Sequence, residues 1–223
     1  MIKNLVRGFS ALSLALVPLL SAPAAQAAPS AEVTTLADAV GLVQVSAEDR
    51  TGYTRSSFKH WNSGDDAADG CNTRAEVLIA EAVVAPKVEA GCKLTGGTWE
   101  SYYDGQQVTS AGALDIDHMV PLAEAWDSGA SSWTAARREA YANDQGSTVS
   151  LVAVTARSNR QKSDQDPADW MPPSAEAQCR YVGEWVSTKL RWELTADDRE
   201  LEALKVLAEG PCKDTIVRYT PVA

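Results

Sequence analysis

Leu114-Asp115-Ile116-Asp117-His118-Met119-Val120-Pro121-Leu122 is the stretch on which the reading of this chain turns. Its opening residues alternate apolar and acidic, the pattern of a short strand over Leu114 to Asp117. That alternation puts Asp115 and Asp117 on one side and buries Ile116 opposite. Asp117 stands directly before His118, so a hard oxygen ligand sits beside an imidazole base at the end of the strand. Some forty residues on, an apolar, β-branched strand over Val149 to Thr155 precedes Asn159-Arg160-Gln161-Lys162-Ser163-Asp164, which starts a short helix. A strand–strand–helix unit in this order can bring Asp117, His118 and Asn159 to one point.

The flanking patterns predict a mixed α+β fold. Thr73 to Ala85 reads as a helix stopped before Pro86. Thr98 to Tyr103, Asp104-Gly105 and Gln107-Val108 read as a hairpin around an Asp-Gly turn. Thr134 caps a helical stretch to about Ala142. Ser174 to Trp192 and Thr195 to Glu209 read as amphipathic helices, the second with Leu201, Leu204 and Leu207 on one face and a capping arrangement of Thr195 with Asp198. Residues 28–50 lack a strong pattern and read as a loose or short helical leader. The remainder, 51–223, reads as one domain.

The chain has 223 residues, 45% of them hydrophobic, which excludes a disordered protein. Lys3 and Arg7, an apolar run from Phe9 to Leu20, and Ala25-Gln26-Ala27 compose a secretory signal peptide over residues 1–27. The run is too short to span a bilayer, which takes ~20 residues. A secreted, extracellular, monomeric protein without a membrane partner is therefore expected. The net charge is −10. That excludes a uniformly basic nucleic-acid coat, so an anionic partner must be held by a local patch or a metal. Four Cys in an exported chain imply two disulfides, with three connectivities open. The expected one is sequence-local, Cys71–Cys92 and Cys179–Cys212; thiolate metal sites do not suit an oxidising compartment.

Asp-x-Asp-His-x-Val-Pro, an apolar strand and Asn-Arg-x-Lys-Ser-Asp together resemble the HNH, or ββα-metal (His-Me finger), endonucleases. More closely, the chain is similar to secreted bacterial HNH-family endonucleases related to the C-terminal nuclease domain of modification-dependent restriction enzymes. That resemblance spans about residues 52–210. It includes Gly52-Tyr53-x-Arg55 with Phe58 and Trp61, Asp69-Gly70-Cys71-Asn72-Thr73-Arg74, Trp126-x-Ser128-Gly129-Ala130, Ala142-Asn143-Asp144 and Asp166-Pro167-Ala168-Asp169-Trp170-Met171-Pro172-Pro173. It implies a ββα-metal core with an N-terminal helix and hairpin extension and C-terminal helices. It further implies Asp117 and Asn159 as ligands of one divalent cation and His118 as the general base. Asn143 is implied as the middle Asn, which holds the loop between the strands and orients the His. Arg74 is carried over as a phosphate contact. Many members place a second His where Asn159 stands; an Asn supplies a neutral hard oxygen, favouring Mg²⁺, Mn²⁺ or Ca²⁺ over Zn²⁺.

The chemistry suits these residue types. A hard cation can neutralise a phosphodiester and its departing oxygen, and an imidazole can accept a proton from water near neutral pH. Arg157, Arg160 and Lys162 cluster around Asn159 as further phosphate contacts. No recognition-helix pattern or zinc finger occurs, so DNA, and RNA as a second substrate, is expected to be cut with little base specificity. Bland roles compete: Asp115 as support rather than ligand, Asn143 as a helix C-cap, His60 as a packed His, and Asp164, Asp166 and Asp169 as turn and cap residues. The Trp residues read mainly as core. Two other functions are open, a glycosidase using Asp115 and Asp117 as paired carboxylates and an inactive nucleic-acid-binding relative.

Overall fold

The computed structural model describes residues 30–222. The signal peptide expected over residues 1–27 lies outside them. The fold is mixed α+β, with small antiparallel sheets and seven α-helices among the described residues. The chain opens with β1 (Glu32–Thr35) and α1 (Leu36–Leu42). After α2 (Thr73–Ala80) come two hairpins, β2 (Lys87–Glu89) with β3 (Lys93–Thr95) and β4 (Trp99–Ser101) with β5 (Gln106–Val108). Then follow β6 (Leu114–His118), α3 (Leu122–Asp127), α4 (Ala135–Ala142), β7 (Leu151–Thr155) and α5 (Ala156–Lys162). The chain finishes with α6 (Ala175–Trp192), α7 (Asp198–Glu209) and β8 (Ile216–Tyr219).

The centre is the antiparallel β6–β7 pair, in register from Leu114 opposite Thr155 to His118 opposite Leu151. Its two faces meet different surroundings, as the alternation requires. Leu114, Ile116, Leu151 and Ala153 pack with Val77, Leu78 and Trp99. Val152 and Val154 enter the larger cluster with Phe58, Met119, Tyr103, Tyr181 and Trp185. Asp117 lies opposite Val152 and Asp115 opposite Val154, so both acids share that second side. The strands are joined by an excursion carrying α3 and α4, whose end returns Ala142 and Asn143 to His118.

Several boundaries differ from expectation, each for a local reason. Of the two readings of 28–50, the described part, 30–50, carries the short helix: Thr35 caps α1, which buries Leu36, Ala39 and Val40, and β1 pairs antiparallel with β8. The division at residue 51 therefore does not separate a leader from the fold. Helix α2 ends at Ala80, not Ala85, because Glu81 turns to accept a hydrogen bond from the Ala153 amide (2.8 Å) and Val84 pairs with Thr98. Helix α5 begins at Ala156, before Asn159, because Thr155 caps it by accepting from the Ser158 amide. Asp197, not Thr195, caps α7 through the Glu200 amide. The disulfides are Cys71–Cys92 and Cys179–Cys212, the sequence-local pairing. Trp99, Trp185 and Trp192 are buried in the core.

Candidate active site

Asp117 and His118 at the end of β6 and Asn159 on α5 line one cavity of about 480 Å³, together with Tyr53, Arg55 and Arg160. Two residues of a buried strand end and one residue of the following helix thus converge, as the strand–strand–helix order anticipates.

Each of the three side chains has one atom fixed by the protein and a second atom without a hydrogen-bond partner among the described residues. The His118 Nε2 lies 2.9 Å from the Ala142 carbonyl oxygen. A carbonyl only accepts, so Nε2 carries the proton and Nδ1 keeps the lone pair. Asp117 Oδ2 accepts from the Tyr103 hydroxyl (2.7 Å) and from the Lys162 ammonium (2.6 Å), leaving Oδ1. Asn159 Nδ2 donates to Asp115 Oδ2 (3.2 Å), leaving its Oδ1. Trp61 and Tyr141 lie near-parallel to the imidazole, with ring centroids at 5.4 and 6.3 Å. These rings and the Ala142 bond hold the imidazole in one orientation.

Burial drives the electrostatics. It pushes the His118 pKa down from 6.5 to about 3, against the Ala142 hydrogen bond, so the imidazole is neutral at pH 7. Burial also pushes the Asp117 carboxyl up, while Lys162 and then Tyr103 pull it back. The Lys162 ammonium is itself pushed down by burial and sustained by Asp117.

The other expected residues divide. Arg160 lines the cavity and is exposed, its Nε 3.8 Å from Asp115 Oδ2. Lys162 is not a phosphate contact: it is fully buried, and its ammonium also donates to the His118 carbonyl oxygen (2.9 Å). Arg74 does not line the cavity either; its Nη2 donates to the carbonyls of Ala111 and Leu114 at the entry to β6. Arg157 lines a separate groove on another side of α5. Asn143 is the C-cap of α4 and stays outside the cavity. Its carboxamide accepts from the Asn62 amide and Thr73 hydroxyl and donates to the carbonyls of Lys59 and Glu139. Its hydrogen bonds fix the chain next to Ala142, whose carbonyl meets His118, and none of them reaches His118 itself. His60 is packed, its Nδ1 at the Phe58 carbonyl and its ring against Trp61. Of the acids read as turn and cap residues, Asp166 accepts from the Ala168 and Asp169 amides. Asp164 lies on the cavity wall instead, paired with Arg50.

Tyr53 and Arg55, from the Gly52-Tyr53-x-Arg55 string, also line the cavity, a place that their sequence pattern alone does not assign. Tyr103, which grips Asp117, carried no signal beyond its place in the predicted hairpin.

The donor set fits a hard divalent cation: Asp117 and Asn159 line one cavity and each keeps an oxygen without a partner among the described residues, with no thiolate in the lining and the imidazole in the tautomer of a base. Carboxylates also gather elsewhere, Glu48 with Glu124 and Asp127 and Glu48 with Asp166 and Asp197. Arg50 and Lys189 enter that region as counter-charges, pairing with Asp127 and Glu124.

Comparison with known proteins gives the family. Residues 83–206 match the family described as GmrSD restriction endonucleases, C-terminal domain, a span that holds Asp117, His118, Asn143 and Asn159. An "Uncharacterized secreted protein" of the fungus Arthroderma benhamiae is 41% identical over 153 residues, covering 69% of this chain and 72% of that protein. The relative is fungal, so the resemblance is not confined to bacterial proteins. No solved structure matches the chain. No helix among the described residues is long and apolar enough to cross a membrane. With more than half of its length matched, the chain belongs to the family of the C-terminal domain of GmrSD restriction endonucleases.

Proposed function

We propose that this protein is an exported HNH-type endonuclease that hydrolyses DNA phosphodiester bonds with one divalent cation, Mg²⁺ first among candidates, and little sequence preference. RNA is a second candidate substrate. The observation that carries the reading is the matched set of half-fixed side chains: His118, Asp117 and Asn159 each have one atom tied to the protein and one polar atom left, all on one cavity. Family membership supports a nuclease-related activity. The relative's name, the N-terminal pattern and the two disulfides support export.

In this mechanism the scissile phosphate enters between Arg55 and Arg160, whose guanidiniums balance its charge. His118 Nδ1 takes the proton of the attacking water. An anionic phosphate in the same cavity favours the imidazolium, so substrate raises the basicity that burial lowers. Asp117 Oδ1 and Asn159 Oδ1 would hold the cation, which when bound supplies Lewis-acid neutralisation of the phosphate and leaving oxygen. Tyr103 and Lys162 keep the Asp117 carboxylate from rotating, and Asp115 does the same for the Asn159 carboxamide. The paired-carboxylate glycosidase gains no support, because Asp117 is already held by Lys162 and Tyr103 and Asp115 engages Asn159.

The test is cleavage of plasmid, double- and single-stranded oligonucleotides and RNA with Mg²⁺, Mn²⁺, Ca²⁺ or chelator. Cutting of DNA that stops in chelator, and that His118→Ala slows by ~10²–10⁴-fold, is expected. Undiminished cutting in chelator, or by the variant, refutes the mechanism.

A further inference from the structure

Helix α5 lies between two depressions. Asn159 and Arg160 line the catalytic cavity. Arg157, Ser158 and Gln161 line a second, open groove of about 720 Å³, whose other wall includes Gln106 and Gln107 of β5. The groove's volume is in the range of ligand sites, roughly 300–1,000 Å³.

The groove is rigidly built and its exposed groups are uncommitted. Asp104 Oδ2 accepts from the hydroxyls of Thr155 (2.6 Å) and Ser158 (2.8 Å), tying the β4–β5 hairpin to the start of α5. Ser101 Oγ accepts from the Thr155 amide (3.0 Å) and adds a second tie. Against these walls, the side chains of Arg157, Gln107 and Gln161 are exposed and have no hydrogen-bond or ion-pair partner among the described residues. Arg55 and Arg218 share that freedom among the described residues, whereas Arg50, Arg137, Arg180, Arg191 and Arg199 pair with acids. The Asp104 charge also faces the groove, but hydroxyl donors already engage it.

We infer that this groove is a second subsite of the DNA substrate, in which Arg157 holds a backbone phosphate flanking the scissile one and the Gln107 and Gln161 carboxamides bond the adjoining sugar or base. The inference rests on the proposed nuclease function and adds to it the path of the strand, across α5 rather than along it. Arg157 and Arg160 are three residues apart, about 60° around α5, so their side chains are neighbours on its surface while one borders the groove and the other the cavity. An arginine fork suits phosphate, and carboxamides offer both donors and acceptors to nucleotide edges.

The experiment measures binding of a fluorescein-labelled DNA duplex by anisotropy, in chelator and across a salt series, so that no cleavage occurs. Wild type is compared with Arg157→Ala, Arg157→Lys, Gln107→Ala/Gln161→Ala and, as an exposed arginine elsewhere, Arg218→Ala. Loss of one phosphate contact lowers the slope of log K against log salt by about 1. The expected result is that loss in Arg157→Ala, a preserved slope in Arg157→Lys and Arg218→Ala, and weaker binding at unchanged slope in the glutamine variant. An unchanged slope and affinity in Arg157→Ala, or an equal loss in Arg218→Ala, overturns the subsite. Failure of the wild type to cut DNA with any metal, while Arg157→Ala still lowers the slope, would remove the nuclease reading and leave the DNA-binding groove.

Discussion

Replacing Asp117 with Asn leaves a lysine ammonium buried without its counter-charge, and the cost of that defect can be worked from the structure. Lys162 is 0% exposed and Asp117 5%, and their charged atoms are 2.6 Å apart. At an effective dielectric of 20, that separation corresponds to a gross attraction of about 6 kcal/mol. Most of it offsets the desolvation of the two charges, so the intact pair contributes little net stability. Breaking one side is different, because the surviving charge keeps its desolvation penalty; such losses run to roughly 3–5 kcal/mol. For a domain of this size each kcal/mol lowers Tm by about 2–4 °C, so Asp117→Asn should melt about 6–20 °C below wild type. Asp117→Asn/Lys162→Met, with no charge left at the site, should recover most of the loss. Differential scanning calorimetry at pH 7 with both disulfides intact reads all three proteins. A drop under about 2 °C for the single variant, or a double variant no more stable than the single, refutes the buried pair. The prediction also governs how the site is probed: lost activity in Asp117→Asn bears on metal binding only when the assay runs below the variant's melting range.

Two further predictions follow from the same neighbourhood. The native His118 pKa of about 3 lies below its unfolded value of 6.5, so the unfolded chain binds more protons between those limits and His118-linked stability falls as pH drops from 6.5 toward 3. The full window is worth about 5 kcal/mol at ~1.4 kcal/mol per pH unit. Glu81 and Glu200, raised by burial to about 7, act in the opposite sense, losing stability as pH rises from 4.5 to 7, so the quantity to measure is a difference. Urea unfolding of wild type against His118→Gln at pH 7, 6, 5 and 4 should show the gap narrowing with acid; a constant gap contradicts the buried neutral imidazole. Asn143→Ala removes four hydrogen bonds to the 59–62 loop, Thr73 and α4, and should cost roughly 2–4 kcal/mol by urea unfolding. Full stability with abolished cleavage would instead assign Asn143 to substrate.

What could be read from the sequence, and what could not, separates at α5. Strand β6 was legible because apolar and acidic residues alternate from Leu114 to Asp117, and β7 because its run is apolar and β-branched; their order with α5 allowed Asp117, His118 and Asn159 to meet. The pairing of β1 with β8 was not, because nothing local links residues some 180 positions apart, and neither short strand carries a strong pattern. The basic cluster fails for a subtler reason. In sequence, Arg157, Arg160 and Lys162 look equivalent, three cations around one Asn. On a helix they are not: Lys162 follows Ser158 by four residues and shares its face, and both are buried, at 0% and 1%. Arg157 and Arg160 sit on other faces and stay exposed. Helical periodicity alone could therefore have moved Lys162 from substrate to interior. It could not have named the partner, because the carboxylate that makes a buried ammonium tolerable comes from β6, 45 positions earlier, and meets it only when strand and helix pack. The lysine that resembled a phosphate contact is thus a structural counter-charge, and the cations that line the cavity are Arg160 and Arg55, a residue distant in sequence and adjacent only in the folded cavity.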